Sequence, residues 1–72
     1  MEYILATLRY EATEEDLKIP VFVPVGELIC IFNELYNADW QTLHAEPKGI
    51  ILDKNKTLAQ QGVEHGAKLT LS

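Results

Sequence analysis

The apolar residues of Asp16–Tyr36, "DLKIPVFVPVGELICIFNELY", change period half-way along the segment. Up to Val23 they alternate. Leu17, Ile19, Val21 and Val23 share one face, and Lys18, Pro20 and Phe22 share the other, which predicts a strand. From Val25 the apolar positions Val25, Leu28, Ile29, Phe32, Leu35 and Tyr36 fall at offsets 0, 3, 4, 7, 10 and 11. That is one stripe of an amphipathic helix, predicted over 25–37. Pro24 separates the two patterns: it ends the strand, and its fixed φ suits a helix entry. Glu27 in the first turn complements the helix dipole, and Asn37 is the C-cap candidate.

The flanks extend the pattern. Tyr3–Tyr10 has strand composition, with Ile4, Ala6 and Leu8 on one side and Tyr3, Leu5, Thr7 and Arg9 on the other. The acidic stretch "EATEED" reads as the turn of an antiparallel hairpin between this strand and 17–23. Pro20 cannot donate a ladder hydrogen bond, so the second strand belongs at a sheet edge. Residues 38–47 read as irregular, with Trp40 and Leu43 over the end of the helix. "KGIILD" predicts a third strand, Ile50 and Leu52 on one face and Ile51 on the other. "DKNK" is a turn by composition, a short helical turn ends at Gly62, another turn falls at Gly66, and "AKLTLS" is a last strand with Leu69 and Leu71 inward. The order β-β-α-β-turn-β predicts an α+β domain over 1–72. A mixed sheet of four to five strands packs on one helix, since each element has a single apolar face to bury. First and last strands side by side in the middle make the β-grasp arrangement.

Two stretches carry a family resemblance. "GIILDKNKTLAQQGVEHGAKLTLS" resembles the second half of a ubiquitin-like domain in its strand, Thr57-Leu58, Gly62-Val63, Gly66 and alternating leucines. The strand-proline-helix junction around Pro20 and Pro24 is similar to that of the EsaB/YukD family, nearer EsaB than YukD. Those are small ubiquitin-like proteins that accompany the type VII secretion systems of Gram-positive bacteria. The resemblance implies a non-enzymatic, cytoplasmic accessory or regulatory component. Its partner would be a protein, such as a cytosolic domain of the secretion machinery, or a second copy of the chain as a homodimer. Ubiquitin and the sulfur carriers of the same fold act through a flexible C-terminal Gly-Gly, whereas this sequence closes on "AKLTLS". The expectation is therefore against a modifier or sulfur carrier. A small regulatory binding protein sharing only the fold is the other alternative.

Charge and composition narrow the partners. The 72 residues carry a formal net charge of -5, and Arg9 is the only arginine. A phosphate backbone or an anionic lipid surface calls for clustered positive charge, so neither nucleic acid nor a membrane is an expected partner. One cysteine, Cys30, permits no internal disulfide and suits a reducing compartment. The first residues show no basic leader, and no apolar run approaches the ~20 residues of a membrane span.

No residue constellation demands catalysis, a cofactor or a metal. Cys30 lies beside the helical stripe with no cation near it in sequence to activate a thiolate, and is read as buried or half-buried and structural. His44 and His65 are 21 residues apart, each read as alone on a loop, without metal-ligand spacing. Glu14, Glu15 and Asp16 read as a solvated hairpin tip, and a carboxylate pair works as acid and base only inside a cleft. Gly62 and Gly66 lack the Lys-Ser/Thr of a phosphate loop and are read as turn glycines. Trp40 and Tyr36 read as core or core rim. The sheet side facing away from the helix is the candidate protein-binding surface: strand alternation assigns Leu5, Thr7, Ile51, Lys68 and Thr70 to it, with Phe22 extending it along the edge.

Overall fold

The computed structural model describes residues 2–46 and 48–72. Its elements are β1 (Tyr3–Tyr10), β2 (Thr13–Pro20), α1 (Val25–Tyr36), β3 (Leu43–Glu46), β4 (Ile50–Ile51), a 3-10 turn (Ala59–Gln61) and β5 (Lys68–Leu71). The five strands form one mixed sheet in the order β2-β1-β5-β3-β4. β1 and β5 are parallel neighbours inside it, and the remaining pairs are antiparallel. This is the β-grasp topology, with the expected strands in its middle.

Two departures from the sequence reading concern strand limits. The hairpin turn is Glu11-Ala12 alone, and β2 begins at Thr13 rather than Leu17. Glu and Asp are poor strand formers. Pairing with β1 overrides that preference, with Arg9 opposite Glu14 and Thr7 opposite Asp16. Glu11 accepts φ 54 to close the turn. At its other end β2 stops at Pro20, so Val21–Val23 lie outside it. Val21 still donates to the Glu2 carbonyl at 3.1 Å, and its own carbonyl accepts from Ala59 at 3.1 Å. The second departure is β3. Residues 43–46, read as irregular, pair with both β5 and β4. The last position of that irregular stretch, Pro47, lies outside the described residues.

The helix forms where predicted. Its first donors are not capped by a side chain. Val25 and Gly26 instead donate to the Lys56 and Lys54 carbonyls at 2.9 and 3.0 Å, so the 53–56 loop closes the helix start. A Cβ on Gly26 would sit 3.2 Å from that Lys54 oxygen, which favours glycine there. At the other end Asn37 takes φ 52 and its N–H bonds the Asn33 carbonyl, a left-handed C-cap.

Val25, Leu28, Ile29 and Phe32 pack on the sheet side formed by Ala6, Leu8, Ile19, Leu43, Leu69 and Leu71, with Leu52 and Leu58 closing the ends. Three residues read as buried are not. Leu35 is 67% exposed, because it lies on the flank of the stripe beside the edge strand. Cys30 is exposed: it sits one residue, about 100°, past Ile29 and turns to solvent. Ile50 pairs with Ala45 and so lies opposite in face to Ile51, as expected, but it is 54% exposed on the outermost strand.

Tyr10, Tyr36 and Trp40 cluster at one end of the core, Tyr10 lying 4.6 Å from Tyr36 and 5.2 Å from Trp40 between ring centroids. Asn33 holds Trp40 by both backbone groups: its amide donates to the Trp40 carbonyl at 3.0 Å and accepts from the Trp40 N–H at 2.8 Å. The Tyr10 hydroxyl donates to Glu15, a residue read as part of a solvated tip. That bond, and then burial, pushes the Tyr10 phenol well above its ordinary range. Burial first, and then Glu15, raises Tyr36. Both phenols stay neutral in the folded chain at pH values where the unfolded chain, with phenols near ~10, would ionise. Their contribution is complete below pH ~10 and is lost as pH rises through the folded-state values. Urea midpoints should therefore fall across the alkaline range, and fall less steeply in Tyr10→Phe. Parallel pH profiles for the two proteins would show that Tyr10 is not the linked group.

Candidate interaction surface

Register decides which side chains share the open side of the sheet. Glu14, Arg9, Thr70, His44 and Ile51 lie in one row across the five strands. Asp16, Thr7, Lys68 and Glu46 form the next row, and Lys18 and Leu5 a third. Thr7 and Lys68 are thus direct neighbours, and Thr70 lies between Arg9 and His44. Leu5 is 46% exposed and Ile51 63% exposed. They share the face but not a patch: β1 and β4 are separated by β5 and β3, three strand spacings or ~14 Å. Phe22 is exposed but falls beyond the last residue of β2 and joins no row.

The middle of this face is polar and internally paired. Arg9 Nε lies 3.2 Å from a Glu14 carboxylate oxygen, an exposed pair of the kind worth ~1 kcal/mol or less. The Thr7 hydroxyl donates to Asp16 at 2.7 Å, and the Thr70 hydroxyl donates to Glu46 at 3.3 Å. Such a surface suits hydrogen-bonded contact, with apolar anchors at its margins.

The histidines are placed differently from the sequence reading. His44 is on β3, not a loop, and its Nε2 lies 2.9 Å from the Thr42 hydroxyl and 2.8 Å from the Ser72 hydroxyl. A serine hydroxyl against an imidazole is the first contact of a nucleophile and its base. Here no carboxylate hydrogen-bonds the other ring nitrogen among the described residues, and the Ser72 hydroxyl is shared with Thr42 at 2.8 Å. The cluster ties the end of β5 to β3. His65 is tied down as well, its Nδ1 accepting from the Leu5 N–H at 3.1 Å. The His44–Ser72 and Leu5–His65 contacts span 28 and 60 residues, so nothing in local spacing announced them. Among the described residues no group of three or more His, Cys, Asp or Glu side chains could hold a metal ion.

Gln61 and Gln60 order the segment before β5. Gln61 accepts from the Asp53 N–H at 2.7 Å and donates back to the Asp53 carbonyl at 3.0 Å. Gln60 and Thr57 exchange two bonds, 2.9 and 3.1 Å, in the reciprocal pattern of a capping box. That Thr-x-x-Gln spacing was legible in the sequence and was missed.

A single helix across a five-stranded sheet with parallel β1 and β5 neighbours defines a ubiquitin-like protein. Solved structures agree. The C-terminal ubiquitin-like domain of mouse tubulin-specific chaperone e superposes with a TM-score of 0.82 at 15% identity, over 97% of this chain and 84% of that one. Caldiarchaeum subterraneum ubiquitin gives 0.76 at 19% identity, over 97% and 91%. The UBL domain of Plasmodium falciparum Dsk2 gives 0.70 at 23% identity, over 99% and 100%. No curated protein sequence matches the chain. The profile of YukD, a protein of the WXG100 protein secretion system (Wss), matches residues 4–71, and the chain belongs to that family. It is a ubiquitin-like protein of the type VII secretion system, a fold and family that are typically non-catalytic. No helix among the described residues is long and apolar enough to cross a membrane.

Proposed function

We propose that the chain is a non-enzymatic, EsaB-like accessory or regulatory component of a type VII secretion system, acting in the cytoplasm through non-covalent protein contact. The observation that carries this reading is the family match over residues 4–71. The partner is a cytosolic domain of the secretion machinery, engaged through the open sheet face. Leu5 and Ile51 are its apolar members, with Thr7, Lys68 and Thr70 between them, and Phe22 adds a separate exposed ring.

The double change Leu5→Ser with Ile51→Ser tests it. Both side chains are largely outside the core, so stability should move by only ~0.5 kcal/mol per site. Secretion, or capture of the machinery's cytosolic domain, should be lost. A folded double mutant that still supports secretion and capture would remove the sheet face from the reading. Intact-mass analysis of the protein from cells should find free chain, and a covalent adduct through its C-terminal carboxylate would overturn the non-covalent reading altogether.

A further inference from the structure

The edge strand β2 has a free row of backbone groups beside an apolar groove. Which residues of β2 point outward follows from the ladder. Val21 donates inward to Glu2, while on β1 the Leu5 N–H, the Leu5 carbonyl and the Thr7 N–H face β5, bonding His65, Gly66 and Ala67. By alternation Leu17 and Ile19 bond β1, and Glu14, Asp16, Lys18 and Pro20 direct their backbone groups off the sheet. Pro20 thus has its missing N–H in an outward position, where it costs no ladder bond. Glu14, Asp16 and Lys18 each offer an N–H and a carbonyl to another strand.

A groove of about 300 Å³ runs alongside, between β2 and α1. Leu17, Ile19, Leu28 and Phe32 floor it, and Ile31 and Leu35 form its outer wall. That wall is uncovered: Ile31 is 50% and Leu35 67% exposed. The rim is acidic. Glu27 and Glu34 stand four residues before and three after Ile31, on the same helix flank. Asp16 is engaged by Thr7 on the open sheet face, and Lys18 is the one charged residue that lines the groove, so Glu27 and Glu34 outnumber it along the rim.

We infer that the β2–α1 groove is a strand-acceptor site for an extended segment of a protein partner, one that alternates apolar residues with Lys or Arg. Main-chain bonds to Asp16 and Lys18 would set its register, and alternate apolar side chains would enter the groove. Its basic residues match Glu27 and Glu34 on the helix flank. A second copy of this chain is the poorer occupant: it would bring its own acidic β2 and a net charge of -5 to a rim of the same sign. This site rests on the reading of the chain as a protein-binding module and adds a second surface to it, apart from the open sheet face.

The test titrates acetyl-Lys-Val-Lys-Ile-Lys-Val-Lys-amide into the isotope-labelled full chain, beside the same peptide with Glu for every Lys. The Lys peptide should give saturable shifts at Asp16, Lys18, Ile31 and Leu35, and should slow hydrogen exchange of the Asp16 and Lys18 amides. The Glu peptide should bind at least about tenfold more weakly. Leu35→Ser should weaken the Lys peptide by a similar factor without altering the thermal melt or the secretion readout of Leu5 and Ile51. Equal binding of the two peptides, shifts confined to the open sheet face, or groove binding that leaves the two amides unprotected would each overturn the inference. So would sedimentation showing a dimer that Leu35→Ser dissolves, since the groove would then belong to a second copy. Failure here with loss of secretion in the Leu5 and Ile51 double mutant removes the groove alone.

Discussion

Phe32→Ala should destabilise the protein by ~3–5 kcal/mol. Phe32 is the central buried residue of the helical stripe, 6% exposed, and stacks on Tyr36 at 6.4 Å between centroids. Through Tyr36 the ring supports the Tyr10 and Trp40 contacts that close that end of the core. Truncation removes the ring's burial and opens the core toward the β2–α1 groove, which Phe32 also lines. At ~0.05–0.15 kcal/mol per residue, 72 residues carry ~4–11 kcal/mol in total, so the change takes a large part of it. A melting point lower by at least ~12 °C is expected, from ~3 kcal/mol at ~4 °C per kcal/mol. A melt matching the unaltered protein would mean that α1 does not pack on the sheet through this face.

Leu69→Ala should cost ~2–5 kcal/mol, while Thr70→Ala beside it should cost only ~0.5 kcal/mol. Leu69 is fully buried on β5, the strand between β1 and β3. Its register neighbours are Leu8 on one side and Ala45 on the other. Ala45 is too small to fill the space a shortened Leu69 would leave, so the cavity should persist. Thr70 points to the open face, where its hydroxyl meets Glu46 at 3.3 Å. Urea denaturation of the two variants reads the contrast directly. Similar losses at both positions would place β5 one residue out of register, because a slip of one exchanges the two faces.

Repeated period and backbone chemistry are local properties, and what they encode was legible along the chain. A period of two settled the faces of β1 and β5, with Ala6, Leu8, Leu69 and Leu71 buried and Leu5 exposed. The three-four spacing determined α1, and Asn37 its end. Pro20 marked the edge strand, because a missing donor is tolerated only where no neighbour needs it. The family resemblance was legible too, since it rests on patterned apolar positions and a few prolines and glycines. Tertiary structure decided the rest, through pairings that no short window contains. Thr13–Asp16 is a strand because β1 lies beside it, against the preference of Glu and Asp. Residues 43–46 are a strand because β5, 22 to 28 residues later in the register, offers its edge. Stripe position marked Leu35 as buried, but burial also needs something opposite, and the edge strand leaves that flank open. The candidate surfaces fall on the same side of this divide. Alternation assigned Leu5 and Ile51 to one face, but only strand order set their strands ~14 Å apart, and only register set them two rows apart as well. Only packing of α1 against β2 created the groove, since its two walls come from elements whose juxtaposition is set by the global fold rather than by spacing along the chain.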